Sequence, residues 1–248
     1  MNLLLVGDSC KDIFHYGKCD RICPEAPVPV FVNTRTVENV GMAGNVYNNL
    51  KSLGVETVDF IYNNEQITKT RYIDEKSNQM IIRVDENDKV NTSFDRLNFS
   101  VDYKNYDATV ISDYNKGFIT YKSIKHLSNN SKLTFVDTKK IINKEYFSDV
   151  TFVKINQVEW EFCKANGVNL EDWEENLIIT LGSRGCKYKD VIYPVDTSIE
   201  VRDVSGAGDT WLSSFVVNFV KTNRVEESIK YANKNATIVV QKKGVSVI

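Results

Sequence analysis

The sequence predicts an α/β protein of three layers, α/β/α, with a mostly parallel central sheet and a small β lid. Three observations predict it. Strand-like and helix-like segments alternate over most of the 248 residues, a glycine-rich turn carrying a carboxylate lies between a strand-like and a helix-like run, and two extended pieces break the alternation. Residues 1–7 form a buried first strand. Residues 43–53 place Val46, Leu50 and Leu53 on one helical face and stop at Gly54, and residues 57–62 are the next strand. The apolar runs 108–112, 133–136, 150–155 and 177–181 are further strands, separated by helices at 120–129 and 157–166. Residues 198–204 alternate apolar Ile199, Val201 and Val204 with polar neighbours, as a strand does. Residues 211–220 carry Leu212, Phe215, Val216 and Phe219 as a helix, and 225–241 close the chain as another, with Ile229, Ala232, Ala236 and Val239 on one face. The exceptions are residues 28–37 and a hairpin at 68–84 with its turn at 74–78; together they predict lid strands standing off a single domain that spans residues 1–248.

Composition narrows the function classes. A net charge of -2, 42% hydrophobic and 26% charged residues describe an ordinary globular protein, with no positive field to attract nucleic acid. The apolar runs are too short to span a bilayer, and the chain enters its first strand with no basic leader or cleavage site, so a cytoplasmic protein is expected, with neither membrane nor nucleic acid as partner. Five scattered cysteines (Cys10, Cys19, Cys23, Cys163, Cys186) fit reduced thiols, and with only two histidines in the chain, Cys19 and Cys23 do not read as a zinc site. His15 and His126 read as structural or surface residues.

The chemistry concentrates in DVSGAGDTW, residues 203–211. Glycines at a helix start present unpaired amides and the positive end of the helix dipole to anionic oxygens, and Gly206 and Gly208 let the backbone approach without a Cβ. Asp209 then lies beside the bound phosphate, where it can accept the proton of an attacking hydroxyl. The spacing is neither a Walker loop nor a dinucleotide fingerprint. A Gly-Ala-Gly turn can also be purely structural.

With its motifs in order, the chain resembles the ribokinase-like (PfkB) sugar kinases, and among them the D-glycero-D-manno-heptose-7-phosphate kinases of lipopolysaccharide-heptose synthesis. GDSCKDIFHYG (7–17), GMAGNV (41–46), TKTR with NQMIIRVD (68–85), NQVE (156–159), ITLGSRG (179–185) and DVSGAGDT carry the family-wide likeness; PEAPVPV (24–30) and SDYNKG (112–117) carry the heptose one. The resemblance implies ATP and Mg2+ as cofactors and a sugar or sugar phosphate as acceptor. It implies that Asp209 is the catalytic base and that the amides of Gly206, Ala207 and Gly208 line the anion hole. Asn156 and Glu159 match the motif that organises magnesium and the nucleotide phosphates, Glu159 toward the metal; the same pair is also an ordinary helix start. Thr180, Gly182 and Gly185 match the nucleotide loop, or a plain hairpin turn, and Asn233 lies on the helix that borders the base.

For the acceptor, Asp8, Asp12 and Asn45 match polar positions near sugar hydroxyls, though Asp12 also suits a loop cap. Lys69, Arg71 and Arg83 in the lid are candidates for a phosphate already on the sugar, Arg83 foremost because it interrupts an apolar run. Asp113 and Lys116 complete the polar rim. Met42 replaces a second glycine of the family, the segment between Tyr62 and Thr68 is shorter than in relatives, Asp137-Thr138-Lys139 replaces Asp-Pro-Lys, and no nucleotidyltransferase domain is expected after Ile248. Two alternatives stay open: a kinase for another sugar, phosphosugar or nucleoside, and an inactive kinase-like binding protein. A homodimer through the lid strands is an expectation too, since an exposed edge strand gains from being covered.

Overall fold

Leu3, Leu4, Leu5 and Val6 are all buried because the first strand, β1 (Asn2–Gly7), lies inside a sheet covered on both faces. Successive side chains point to opposite faces of a strand. Leu4 and Val6 accordingly join one core and Leu3 and Leu5 the other. The computed structural model describes all residues except 98, 197, 198, 243 and 245.

After β1 the chain forms β2 (Ser9–Ile22), β3 (Pro29–Met42), α1 (Ala43–Ser52), β4 (Thr57–Tyr62), β5 (Ile67–Asp74) and β6 (Gln79–Glu86), then β7 (Ala108–Asp113), α2 (Tyr121–Asn130), β8 (Thr134–Thr138), α3 (Lys144–Phe147), β9 (Phe152–Asn156) and α4 (Gln157–Ala165). It ends with β10 (Leu177–Thr180), β11 (Cys186–Tyr188), β12 (Val191–Tyr193), α5 (Ala207–Thr222) and α6 (Val225–Val239). The main sheet runs β12-β11-β10-β9-β8-β7-β1-β4. It is parallel from β4 to β10, and β11 and β12 add an antiparallel edge. One face packs on Ile124 and Leu127 of α2, Phe147 of α3 and Trp160 of α4. The other packs on Val46 and Leu50 of α1, Trp211, Phe215 and Phe219 of α5, and Ile229 of α6. This is the α/β class the alternation predicts.

A second sheet, β3-β2-β5-β6, stands beside the first. Its β3, β5 and β6 contain the two extended pieces read from the sequence, and the turn between β5 and β6 occupies Glu75 to Asn78 as expected. The third component, β2, is an addition: residues 9–22, to which the sequence pattern assigns no element, form a 14-residue strand paired with both β3 and β5. Charged Lys11, Asp12, Lys18 and Asp20 hid it, because this sheet is half-solvated and lacks an apolar run. Residues 198–204 are a correction. Ser198 lies outside the described residues, and 201–204 are irregular, with Val201 and Val204 exposed and the amides of Arg202 and Asp203 donating to the Val240 carbonyl. Alternation alone makes no strand where no neighbouring strand offers pairing.

Candidate active site

The carboxyl ends of β7 and β8, the start of α5 and the inner face of the small sheet enclose a cavity of about 350 Å³. Such crevices are where open α/β sheets bind ligands. Asp209 sits on its floor, 4% exposed, in the first turn of the 16-residue helix α5. The turn before it works through glycine: Gly206 caps the helix at φ +80°, in the left-handed region, and Gly208 faces buried Lys154, whose Nζ would lie 3.1 Å from an added Cβ. Gly206 lines the same cavity as Asp209, so helix-start amides and a carboxylate converge on one space. That arrangement can hold an anion and take a proton beside it.

Both oxygens of Asp209 are engaged. Asn45 Nδ2 donates to Oδ2 at 2.8 Å, and the Tyr114 hydroxyl donates to Oδ1 at 2.7 Å. Burial pushes the Asp209 pKa up to about 6; Asn45, Tyr114 and Lys154 pull it down and Asp137 adds to the rise. A carboxylate poised there is ionised at neutral pH yet more basic than an exposed one.

The opposite wall carries cations. Arg71 donates to Asp12 at 2.6 Å, Lys69 bridges Asp85 and Asp88 at 2.9 Å each, Lys116 reaches Asp88 at 2.5 Å, and Arg83 pairs with Asp85 at 2.8 Å. Asp12, Asn45, Lys69, Arg71, Arg83 and Lys116 therefore all line the cavity. Asp12 is on a strand and caps no loop. Arg83 is the most exposed of the lid cations, at 49% of its side chain against 10% for Lys69 and 18% for Arg71. A charge in the apolar run of β6 needs no buried partner, since every residue of that strand is exposed.

Asp8 and Asp113 do not reach the cavity. Asp8 is fully buried behind it and accepts from the amides of Tyr114, Lys116 and Phe118, holding the turn after β7; burial, with Asp113 close by, pushes its pKa up to about 6. Asp113 accepts from Lys140 Nζ at 2.7 and 2.8 Å and from the Thr138 hydroxyl at 2.6 Å. Both carboxylates build the rim from behind.

Asn156 and Glu159 form a reciprocal capping box at the start of α4: each side chain accepts the other residue's amide. Burial raises the Glu159 pKa. The cap leaves Glu159 half-buried, close enough to Lys154 for each to shift the other. Thr180 ends β10, and Gly182 and Gly185 turn the chain into β11 with φ +62° and +88°. Asn233 is buried, accepting from Trp211 Nε1 and donating to the Tyr193 carbonyl, so its side chain joins α5, α6 and β12 inside the fold. The sequence did not single out Tyr114, Asp85, Asp88 or Lys154. Lys154 alone left a signal: a lysine inside the apolar run of β9, where it pairs with Asp137 at 2.7 Å. Burial works most strongly against its charge, but Asp137, Glu159 and Asp209 together outweigh burial and the pKa ends above the usual value.

Residues 40–247 match the profile of the pfkB family carbohydrate kinases. The chain belongs to this family. Its family is one of carbohydrate kinases, phosphotransferases acting on an alcohol group, and membership implies ATP as donor. The bifunctional protein HldE of a Nitratiruptor species is 31% identical over 296 residues, an alignment taking in 98% of this chain and 62% of that protein. HldE of Helicobacter pylori (strain J99) is 28% identical, over 98% and 63%. The chain thus spans less than two thirds of these relatives. Among solved structures, a ribokinase from Thermotoga maritima superposes with a TM-score of 0.73 at 16% identity, over 99% of this chain and 94% of that one. An Arabidopsis thaliana ribokinase complexed with ribose and ATP gives 0.70 at 14%, over 98% and 93%. The fold of this pfkB kinase is therefore ribokinase-like.

The Gly206–Gly208 turn fits a triphosphate at its two glycines, which carry no Cβ at the helix start; the Ala207 amide, expected in the same cradle, instead donates to the Val204 carbonyl at 3.2 Å. Among the described residues no group of three or more His, Cys, Asp or Glu side chains could hold a metal unaided. A nucleotide-borne magnesium asks only one or two carboxylates of a protein, and Glu159 and Asp137, both acting on Lys154, are available for that. Among the described residues no helix is long and apolar enough to cross a membrane.

Proposed function

We propose that the chain is an ATP-dependent cytoplasmic kinase that phosphorylates the C1 hydroxyl of a heptose 7-phosphate to give a 1,7-bisphosphate. The observation that carries this reading is the convergence of the Asp209 carboxylate, the Gly206 turn and the cations of the small sheet on one cavity. Asp209 accepts the proton as the acceptor oxygen attacks the terminal phosphate, and the amides of Gly206 and Gly208 bind the charge that develops there, joined by that of Ala207 once it leaves the Val204 carbonyl. Bound with the nucleotide, Mg2+ supplies further neutralisation of phosphate charge, held through Glu159. Asp12 and Asn45 face the sugar, and Lys69, Arg71, Arg83 and Lys116 face its phosphate; the heptose assignment draws on the PEAPVPV and SDYNKG likeness. Thr180, Gly182 and Gly185 border the nucleotide. The exposed β6 edge, with Met80, Ile82 and Val84 on its surface, supports pairing into a homodimer, which sedimentation would test.

Replacing Asp209 by Asn tests the chemistry. Turnover of heptose 7-phosphate should fall by roughly 10²–10⁴-fold, the usual worth of a general base, while calorimetry still finds ATP bound. Undiminished turnover would remove Asp209 from the mechanism. A panel of acceptors, read by ADP release, tests the sugar: a preference for an unphosphorylated sugar or a nucleoside overturns the heptose phosphate, and neither turnover nor ATP binding overturns the kinase reading for this chain.

A further inference from the structure

Tyr114 touches Asp209 but belongs to none of the roles assigned above. It stands in the turn after β7, half-buried against the cavity, with its hydroxyl 2.7 Å from Asp209 Oδ1. A phenol O–H donating to a carboxylate at that distance is a short charge-assisted bond. The ring is fixed from two sides. Its backbone amide donates to Asp8 Oδ2 at 2.8 Å, and Asp8 also takes the amides of Lys116 and Phe118, which locks a turn containing Asn115 at φ +57° and Gly117 at φ +109°. Over the ring lies Lys139, its Nζ 4.5 Å from the centroid. Asp209 thus receives one donor from α1 and one from a turn that a buried carboxylate holds rigid.

We propose that Tyr114 is a positioning residue for Asp209: its hydroxyl, anchored through the turn by Asp8, fixes the plane of the carboxylate and donates a hydrogen bond to its ionised form. This rests on Asp209 being the base. Two donors leave further lone pairs on each oxygen, so the acceptor hydroxyl can bond to Asp209 without displacing Tyr114. The groups facing Asp209 are Asn45 from α1, Tyr114, Asp137 at the end of β8 and Lys154 from β9; Cys10 from β2 faces Tyr114. Lys154 stays charged and the Cys10 thiol is pushed up to about 12. Burial also pushes the Asp8 pKa up to about 6, but Asp8 accepts the backbone amide of Tyr114 and not its hydroxyl.

Tyr114→Phe keeps the ring and removes the donor. Losing a hydrogen bond to the charged form raises the carboxyl pKa, so the acid limb of the kcat/KM profile should move up by about one pH unit, from the worth of a charged hydrogen bond. Activity at pH 6 then falls roughly fivefold against the wild type, while at pH 9 the loss disappears. A ¹³C-carboxyl titration of Asp209 without substrates should show the same displacement, independent of turnover. An acid limb and a carboxyl titration that both superpose on the wild type overturn the proposal. Asp209→Asn, measured alongside, separates the two readings: if it is inactive and the limb of Tyr114→Phe is unmoved, only Tyr114 loses its role, whereas an active Asp209→Asn removes the base and this inference with it.

Discussion

At the scale of single residues, the cavity wall is a chain of alternating charges. Asp88 accepts from Lys69 and Lys116 at once, although 41% of its own side chain is exposed. A carboxylate held by two cations is the arrangement a phosphate monoester would replace, so on the proposed reading Asp88 competes with the phosphate of the acceptor. Asp88→Asn should therefore lower KM for the phosphosugar by roughly two- to fivefold, the range of partly exposed ion pairs, and leave KM for the unphosphorylated sugar alone. A rise in both KM values would mean that Asp88 binds the sugar directly. None of this was legible in the sequence, because Lys69 and Lys116 lie 19 and 28 residues from Asp88. Asp209 and its glycines were legible because their geometry is local to one helix start. Asp8, Asp113 and Asn233 show the limit of such reading: a polar residue at a strand end or on a helix serves equally well turned into the fold, and only the packing decides.

At the scale of elements, strands buried on both faces announced themselves and the half-solvated ones did not. β1, β7 and β10 differ from their expected bounds by no more than a residue at either end, since a parallel strand covered on two faces must be apolar throughout; β4, the sheet's edge strand with no fully buried residue, matches its bounds through its apolar Val58, Phe60 and Ile61 instead. β2 has no such signature. Its pairing with β3 shifts register between Tyr16 and Gly17 and again between Lys18 and Arg21, and bulges of that kind scramble the alternation of side chains. The β10–β11 turn shows how a motif and a structural need can share residues. Gly185 has φ +88°, and an added Cβ would lie 2.0 Å from the Tyr193 carbonyl oxygen, while Gly182, at φ +62°, has open space around it. Gly185→Ala should cost more than about 2 kcal/mol in urea unfolding, from strain and clash together, and Gly182→Ala about 1 kcal/mol. Equal costs would show that the turn relaxes and that Gly185 is kept for its ligand.

At the scale of the whole molecule, two apolar cores on either face of the main sheet hold a floor of buried charge beneath the cavity, and that arrangement opposes stability. Asp209 titrates near 3.8 when unfolded and near 6 when folded, burial being the main cause. Because the folded state binds the proton more tightly, stability from this group is unaffected below about pH 4, declines as pH rises from there through 6, and stays reduced above it. A rise of that size corresponds to on the order of 2–3 kcal/mol at pH 8. Asparagine is neutral and can still meet Asn45 and Tyr114 with its carbonyl and amide, so Asp209→Asn should unfold at higher urea than the wild type at pH 8, with the gap closing toward pH 4. The same substitution that removes the proposed base then strengthens the fold, as expected where activity requires a destabilised group. Asp8 offers no such gain, because its carboxylate accepts three amides and an asparagine there would set a donor against at least one of them. Urea midpoints for the wild type and Asp209→Asn at pH 4, 6 and 8 decide the matter: a gap that is constant or widens on acidification would mean that the Asp209 charge does not weaken the folded state.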